Sequence, residues 1–212
     1  MKQEDTKKKI LDKALELFSQ RGYDAVSVGE IAAAVGIKAP SLYNHFSGKQ
    51  AIFEAIVETT AAQYQRDTDR IHIHVQDADQ DIPAFVQITE EELFEKVRQI
   101  FDYSLHEENI RRFRKMMTIE QYRAPELGEL YTKRYVERVV AYHAAIFRSL
   151  IQAGALRPGE PDALALLYAA PVITLIGICD RQPEREEECR EKLRAHVHQF
   201  YTMVQAEKTA QL

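Results

Sequence analysis

Five helix boundaries crowd into the stretch YDAVSVGEIAAAVGIKAPSLYNHFSGK, Tyr23 to Lys49, and they leave room for little but short helices. Ser27 followed by Glu30 has the spacing of a capping box, in which a hydroxyl and a carboxylate satisfy each other's backbone amides. A helix therefore starts at Val28, runs to about Ala34 and ends near Gly36. Pro40 falls at or beside the first position of the next helix, where its missing N–H costs nothing. That helix ends before Gly48, and Ser47 caps another from Lys49 to about Ile71. Upstream, Ile10, Leu11, Ala14, Leu17 and Phe18 recur at helical spacing over Thr6–Arg21, with Gly22 as the stop.

The third helix is the informative one. Leu42 and Phe46 stand four apart and can bury one face of about two turns. Ser41, Tyr43, Asn44 and His45 are left pointing outward, with Lys38 before them and Lys49 after. A helix, a tight turn and a short helix within a three-helix unit is a helix-turn-helix. In that motif the second helix enters the major groove of DNA.

The rest of the chain extends the helical pattern. Residues 72–88 read as a polar loop broken by Pro83. Helices follow at about Glu90–Glu107, Asn109–Tyr122, Glu126–Ala153, Asp162–Asp180 and Pro183–Ala206. With eight Gly and seven Pro in 212 residues, the chain is expected to be all-α. The expected division is a helix-turn-helix domain over 1–50, a connecting fourth helix over 49–71, and a larger helical domain over 51–212. Net charge is −5, yet residues 1–50 carry eight Lys/Arg against six Asp/Glu, so the amino-terminal end is the cationic part of an acidic chain. Cys179 and Cys189 lack the number and spacing of a disulfide framework or a metal site. The first residues mix acids and bases with no long apolar run. A cytoplasmic protein is expected.

The segment VSVGEIAAAVGIKAPSLYNHFSGKQAIFEAI resembles the amino-terminal domain of TetR-type transcriptional regulators. Ile31, Ala32, Gly36, Ile37, Leu42, Tyr43, His45, Phe46 and Lys49 carry the resemblance over about residues 6–56. A weaker echo is GALRPGEPDALALL, Gly154 to Leu167, similar to the link before the family's last two helices. Gly29 departs from the pattern, standing where a larger polar residue is usual, and weakens its turn slightly.

The resemblance implies phosphate contacts by Tyr43 and His45, with Lys49 adding charge and Ser27 and the Lys7–Lys9 run able to contribute. Base reading would fall to Lys38, Ala39, Pro40, Ser41 and Asn44, with lysine suited to guanine, asparagine to adenine, and Ala39 or Pro40 to a thymine methyl. It also implies a homodimer on a palindromic double-stranded DNA operator, with two recognition helices about 34–36 Å apart or a multiple of that. Ligand and operator would then favour different states of the dimer.

Where the dimer and the ligand sit is less marked. Ala163 to Cys179 is apolar nearly all round, but short and interrupted by Pro171 and Gly177 for a membrane span. It is expected to be buried, and Leu164, Leu167 and Leu175 are candidates for the dimer interface. Leu193, Val197, Phe200, Tyr201 and Val204 on the last helix would complete the contact stripe; packing within one subunit would explain them equally. A small-molecule effector with substantial apolar surface would take a cavity among Tyr64, Phe101, Leu105, Phe113, Met116, Met117, Tyr122, Tyr142, His143, Phe147 and Thr174. Most of these are also what an ordinary core contains.

No P-loop, dinucleotide, nucleophile-elbow or HExxH motif is present, and neither catalysis nor a cofactor is expected. Asp102 and His106 lie on the polar side of their helix and read as a surface pair. A protein-binding helical adaptor would explain the helices but not Tyr43, His45 and Lys49. A metal-sensing regulator would have to use His72 and His74.

Overall fold

The computed structural model describes residues 2–123 and 125–205, with backbone alone at residues 2 and 3. Among the described residues the chain forms helices and no strand beyond one isolated antiparallel bridge between Leu156 and Gln205. It divides into two units. The first comprises residues through Arg66 together with Glu107–Tyr131, and the second residues 67–106 and 132 onward.

In the first unit α1 (Lys2–Arg21), α2 (Val28–Val35), α3 (Ala39–Leu42) and the start of α4 (Lys49–Arg70) are joined by α7 (Glu108–Glu120). The first unit thus runs on past residue 50 to Arg66, and a segment far along the chain belongs to it. The reason is α7's apolar face: Phe113, Met116 and Met117 are fully buried, and α7 packs on α1. Where α1 ends, Gly22 takes φ +82°, a left-handed conformation that other residues adopt only with strain. The buried Glu120 carboxylate accepts the Tyr23 N–H there at 2.9 Å and leaves no room for a Cβ on Gly22, which would lie 2.6 Å from its oxygen.

The second unit holds α6 (Glu90–His106), α9 (Arg138–Gln152), α10 (Pro161–Arg181) and α11 (Glu186–Val204). Between α7 and α9 the sequence suggests one helix from Glu126. The chain is helical throughout that span: α8 (Pro125–Thr132) passes through a π-helical turn at Lys133–Glu137 into α9. The supposed loop after α4 contains a 3₁₀ turn at Ala78–Gln80 and α5 (Ile82–Phe85). It is pinned by Asp81, which is 3% exposed. Its carboxylate accepts the His74 N–H at 2.7 Å, lies 2.6 Å from His74 Nδ1, and accepts a short hydrogen bond from the Tyr142 hydroxyl on α9.

α10 runs unbroken through Pro171. Contrary to the sequence expectation, it is long and apolar enough to cross a membrane by those measures alone. Here it packs on α9, α11 and α6.

Candidate nucleic-acid interface and effector cavity

The recognition surface is built by the local rules its sequence obeys. Ser27 accepts the Glu30 N–H at 3.2 Å, and Glu30 accepts the Ser27 N–H at 2.8 Å, closing the capping box. That backbone hydrogen bond, helped by Arg21 at 2.7 Å, holds the Glu30 carboxyl down at about 2. Gly36 ends α2 at φ 80°, and the amides of Gly36 and Ile37 turn back onto Ala33 and Ala32. α3 then starts with Pro40 in its first turn.

α3 is shorter than the spacing implies. Past Leu42 the backbone tightens, with Asn44 N–H to Ser41 O and His45 N–H to Leu42 O, as suits residues of low helix propensity. Phe46 still bonds back to Leu42, and both side chains are buried.

The outward residues divide into two groups. Lys38, Pro40, Ser41, Tyr43 and Asn44 are exposed, Ala39 and His45 partly so. Among the described residues, none of the side chains of Lys38, Ser41, Tyr43, Asn44 or His45 has a hydrogen-bond or ion-pair partner within the chain; Tyr43 is 56% exposed. Ser27 and Lys49 differ. The Ser27 hydroxyl is used in the capping box, where it also donates to Glu30 at 2.8 Å. Lys49 Nζ donates to Tyr23 O at 2.9 Å and lies 4.2 Å from the centre of the Tyr23 ring. These contacts tie α4 to the turn after α1. Lys7 lies over the Phe46 ring at 5.2 Å.

In the second unit a cavity of about 50 Å³ lies among α5, α6, α9, α10 and α11, with the turns beside them. Of the sequence candidates it gathers His143 and Phe147. Phe101, Phe113, Met116 and Met117 are 0% exposed, so they touch no water-sized space. Leu105 is core, Tyr142 is bonded to Asp81, and Tyr64 lies in the first unit. Tyr122 is 91% exposed. Thr174 is exposed, with its hydroxyl turned onto Ala170 O at 2.8 Å. The cavity's other lining residues include Phe85, Leu93, Tyr168, Phe200, Tyr201 and Val204. Helical periodicity marks these as apolar without showing which enclose space.

Burial pushes His143 down to about 4, against a weaker opposing effect of its bond to Val139 O. Burial alone pushes the Tyr168 phenol up. Rings of His143, Phe147, Tyr168 and Phe200 form one cluster, with neighbouring centroids such as His143–Tyr168 at 4.7 Å and Tyr168–Phe200 at 4.9 Å.

The expected dimer stripe is largely turned inward. Leu193 and Val197 are fully buried, Leu175, Phe200 and Val204 nearly so, and Leu164 packs against the core. The second unit needs these side chains to close α10 and α11 onto its interior. Leu167 remains outside at 55% exposure, beside Leu166 at 52%, which sequence reasoning missed. With Ala163, Ala170 and Thr174 they form an outward row at helical spacing.

Of the paired histidines, His74 is bound to Asp81 and His72 stands exposed at φ 56°. Among the described residues no group of three or more His, Cys, Asp or Glu is placed to hold a metal. Asp102 pairs with Arg98 and Arg190, and His106 with Glu186, on the outside of α6 and α11.

A capped helix-turn-helix with a bare polar face, followed in the same chain by a helical unit around an aromatic cavity, has the build of a transcription regulator. The model of the bacterial regulatory proteins of the tetR family matches residues 10–56, and that of the AefR-like transcriptional repressor carboxy-terminal domain matches residues 91–203. The chain belongs to the TetR family, whose members are transcription factors and not enzymes. It is 48% identical over 52 residues to IcaR, the negative transcriptional regulator of the biofilm operon icaADBC in Staphylococcus aureus strain Newman. That match covers 24% of this chain and 28% of IcaR, so the chain spans little more than a quarter of that relative's length. The fold is similar to a TetR-family regulator from Mesorhizobium loti, with TM-score 0.69, 21% identity, and 97% and 99% of the two chains covered. It is also similar to the triclosan complex of SmeT, the repressor of a Stenotrophomonas maltophilia multidrug efflux pump, with TM-score 0.68, 21% identity, and 96% and 93% covered.

Proposed function

We propose that this protein is a cytoplasmic, homodimeric repressor that leaves a palindromic DNA operator when a small molecule binds its second unit. The observation that carries the reading is the set of five outward side chains on and beside α3 that have no partner among the described residues. Tyr43 and His45 donate to phosphates and fix register. Lys38, Ser41 and Asn44 meet base edges, with Ala39 and Pro40 against apolar groups in the groove. Ser27 and Lys49 serve one step back, holding α2 and α4 so that α3 is presented.

The outward row of α10 supplies the two-fold contact, Leu166 and Leu167 at its centre and alanines at its flanks. SmeT is known in complex with triclosan, which supports an effector with substantial apolar surface here. Because ligand and operator favour different states of one dimer, bound DNA weakens the ligand by the factor that ligand weakens DNA.

Footprinting on the DNA upstream of the protein's own gene tests the reading. The expected result is a protected palindrome, lost with Asn44→Ala and Tyr43→Ala while both variants remain folded. Equal protection by the wild type and both variants would contradict it.

A further inference from the structure

This inference rests on the proposed regulatory reading and names the chemistry of its effector. Three features of the cavity select a ligand. First, apart from the amide of Gln205 its lining is aromatic and aliphatic, and no carboxylate, ammonium or guanidinium is among the lining residues. An ion entering it would lose hydration with no opposite charge to replace it.

Second, the hydrogen bond of His143 settles its tautomer. Nδ1 lies 2.8 Å from Val139 O, and a carbonyl oxygen only accepts, so Nδ1 carries the proton. In the neutral ring Nε2 is then a bare acceptor. The enclosed, apolar surroundings keep that ring neutral at physiological pH.

Third, the Tyr168 hydroxyl and His143 Nε2 have no partner among the described residues. No side-chain nitrogen or oxygen that is sealed from solvent there lacks a partner, so both atoms open onto accessible space. Both residues line this cavity, with rings 4.7 Å apart. An acceptor and a hydroxyl on neighbouring rings of one aromatic wall match a group that donates once and accepts once.

We propose that the effector is an uncharged aromatic molecule bearing a phenol-type hydroxyl, which donates to Nε2 of His143 and accepts from the Tyr168 hydroxyl. Its ring packs among Phe147, Tyr168 and Phe200. At about 50 Å³ the space is smaller than the roughly 150 Å³ of a cavity that holds benzene, so binding widens it. The wall at Val86–Ile88 is tied to α11 by the Tyr201 hydroxyl, which donates to Ile88 O at 3.1 Å. Widening on that side strains this bond.

The test is calorimetric titration of the full chain with four probes: 4-chlorophenol, chlorobenzene, benzoate and choline. The wild type is expected to bind 4-chlorophenol at least about tenfold more tightly than chlorobenzene, with no measurable heat from the two ions. In His143→Leu the preference should fall to within about threefold while chlorobenzene binding persists. Tyr168→Phe, which keeps the ring, should lose part of the preference and provides the reading if His143→Leu does not fold. Equal affinity for the two neutral probes, tighter binding of either ion, no binding of any probe, or an unchanged preference in both variants would overturn the proposal. DNA binding by the same samples separates the two readings. Operator binding without phenol preference removes this inference alone, and phenol preference without any DNA binding removes the regulatory reading alone.

Discussion

α3 and α11 both turn an apolar stripe inward and a polar face outward, yet the two polar faces differ in kind. On α11 and at its N-cap, many outward charges are tied to one another and to α6: Arg185 and Lys192 to Glu188, Arg190 to Glu186, Arg194 to Glu91 and His198 to Glu90. Around α3, Lys38, Ser41, Tyr43, Asn44 and His45 have no such ties among the described residues. A polar face laced internally is a solvated wall of the fold. One left without partners over a buried Leu42 and Phe46 is available to something else, and for a helix-turn-helix that is DNA.

The largest effect that would sharpen this contrast comes from the inward stripe of α11. Leu193→Ala should lower stability by about 3 kcal/mol in denaturant unfolding, because it empties a fully buried site. A dimer that dissociates with little loss of subunit stability would instead return Leu193 to the interface. Next comes acid. His143 is held down at about 4, below the ordinary imidazole, so the unfolded chain binds this proton more readily than the folded one. Stability from this group is full above about pH 6.5 and is lost as the pH falls toward 4, by on the order of 2 kcal/mol. His143→Leu should flatten that part of the profile in thermal unfolding followed against pH.

Smaller is the cap. Ser27→Ala should cost about 1 kcal/mol by removing the hydroxyl bond that starts α2. DNA affinity should fall with it, through misplacement of α3. Smallest is a laced surface charge: Lys192→Ala should change stability by no more than about 0.5 kcal/mol and leave DNA binding unaltered. A marked loss of DNA binding there would break the distinction between the two faces.

Much of the first unit was legible because its signals are local. The Ser27–Glu30 box, Gly36 and Pro40 each act within a few residues, and they place α2 and α3. The membership of α7 in that unit was not legible, since it depends on Phe113, Met116 and Met117 meeting a helix about a hundred residues earlier. Nor was the π-helical turn at Lys133–Glu137, because it shifts the apolar period without any Gly or Pro to mark it. Lys49 shows the same limit at the site: its spacing fits a phosphate contact, but only the fold reveals the Tyr23 carbonyl within its reach. On α11 the stripe itself was legible, and its direction was not. Periodicity says that Leu193, Val197, Phe200 and Val204 share a face; it does not say whether their own subunit or a partner covers them. In the cavity, aromatic and methionine residues look alike whether they seal space or enclose it, so His143 and Phe147 were found among many that do neither.

The most direct test of the central claim is the salt dependence of DNA binding, measured by fluorescence anisotropy on the upstream fragment for wild type and Tyr43→Ala. The wild type should bind with an affinity that falls linearly in a log–log plot, with a slope near −0.9 for each phosphate engaged. Tyr43→Ala should bind about tenfold more weakly at moderate salt, with unchanged thermal stability. Coincident curves for the two proteins, or no salt-sensitive binding to any DNA by either, would show that the bare face of α3 does not meet the phosphate backbone.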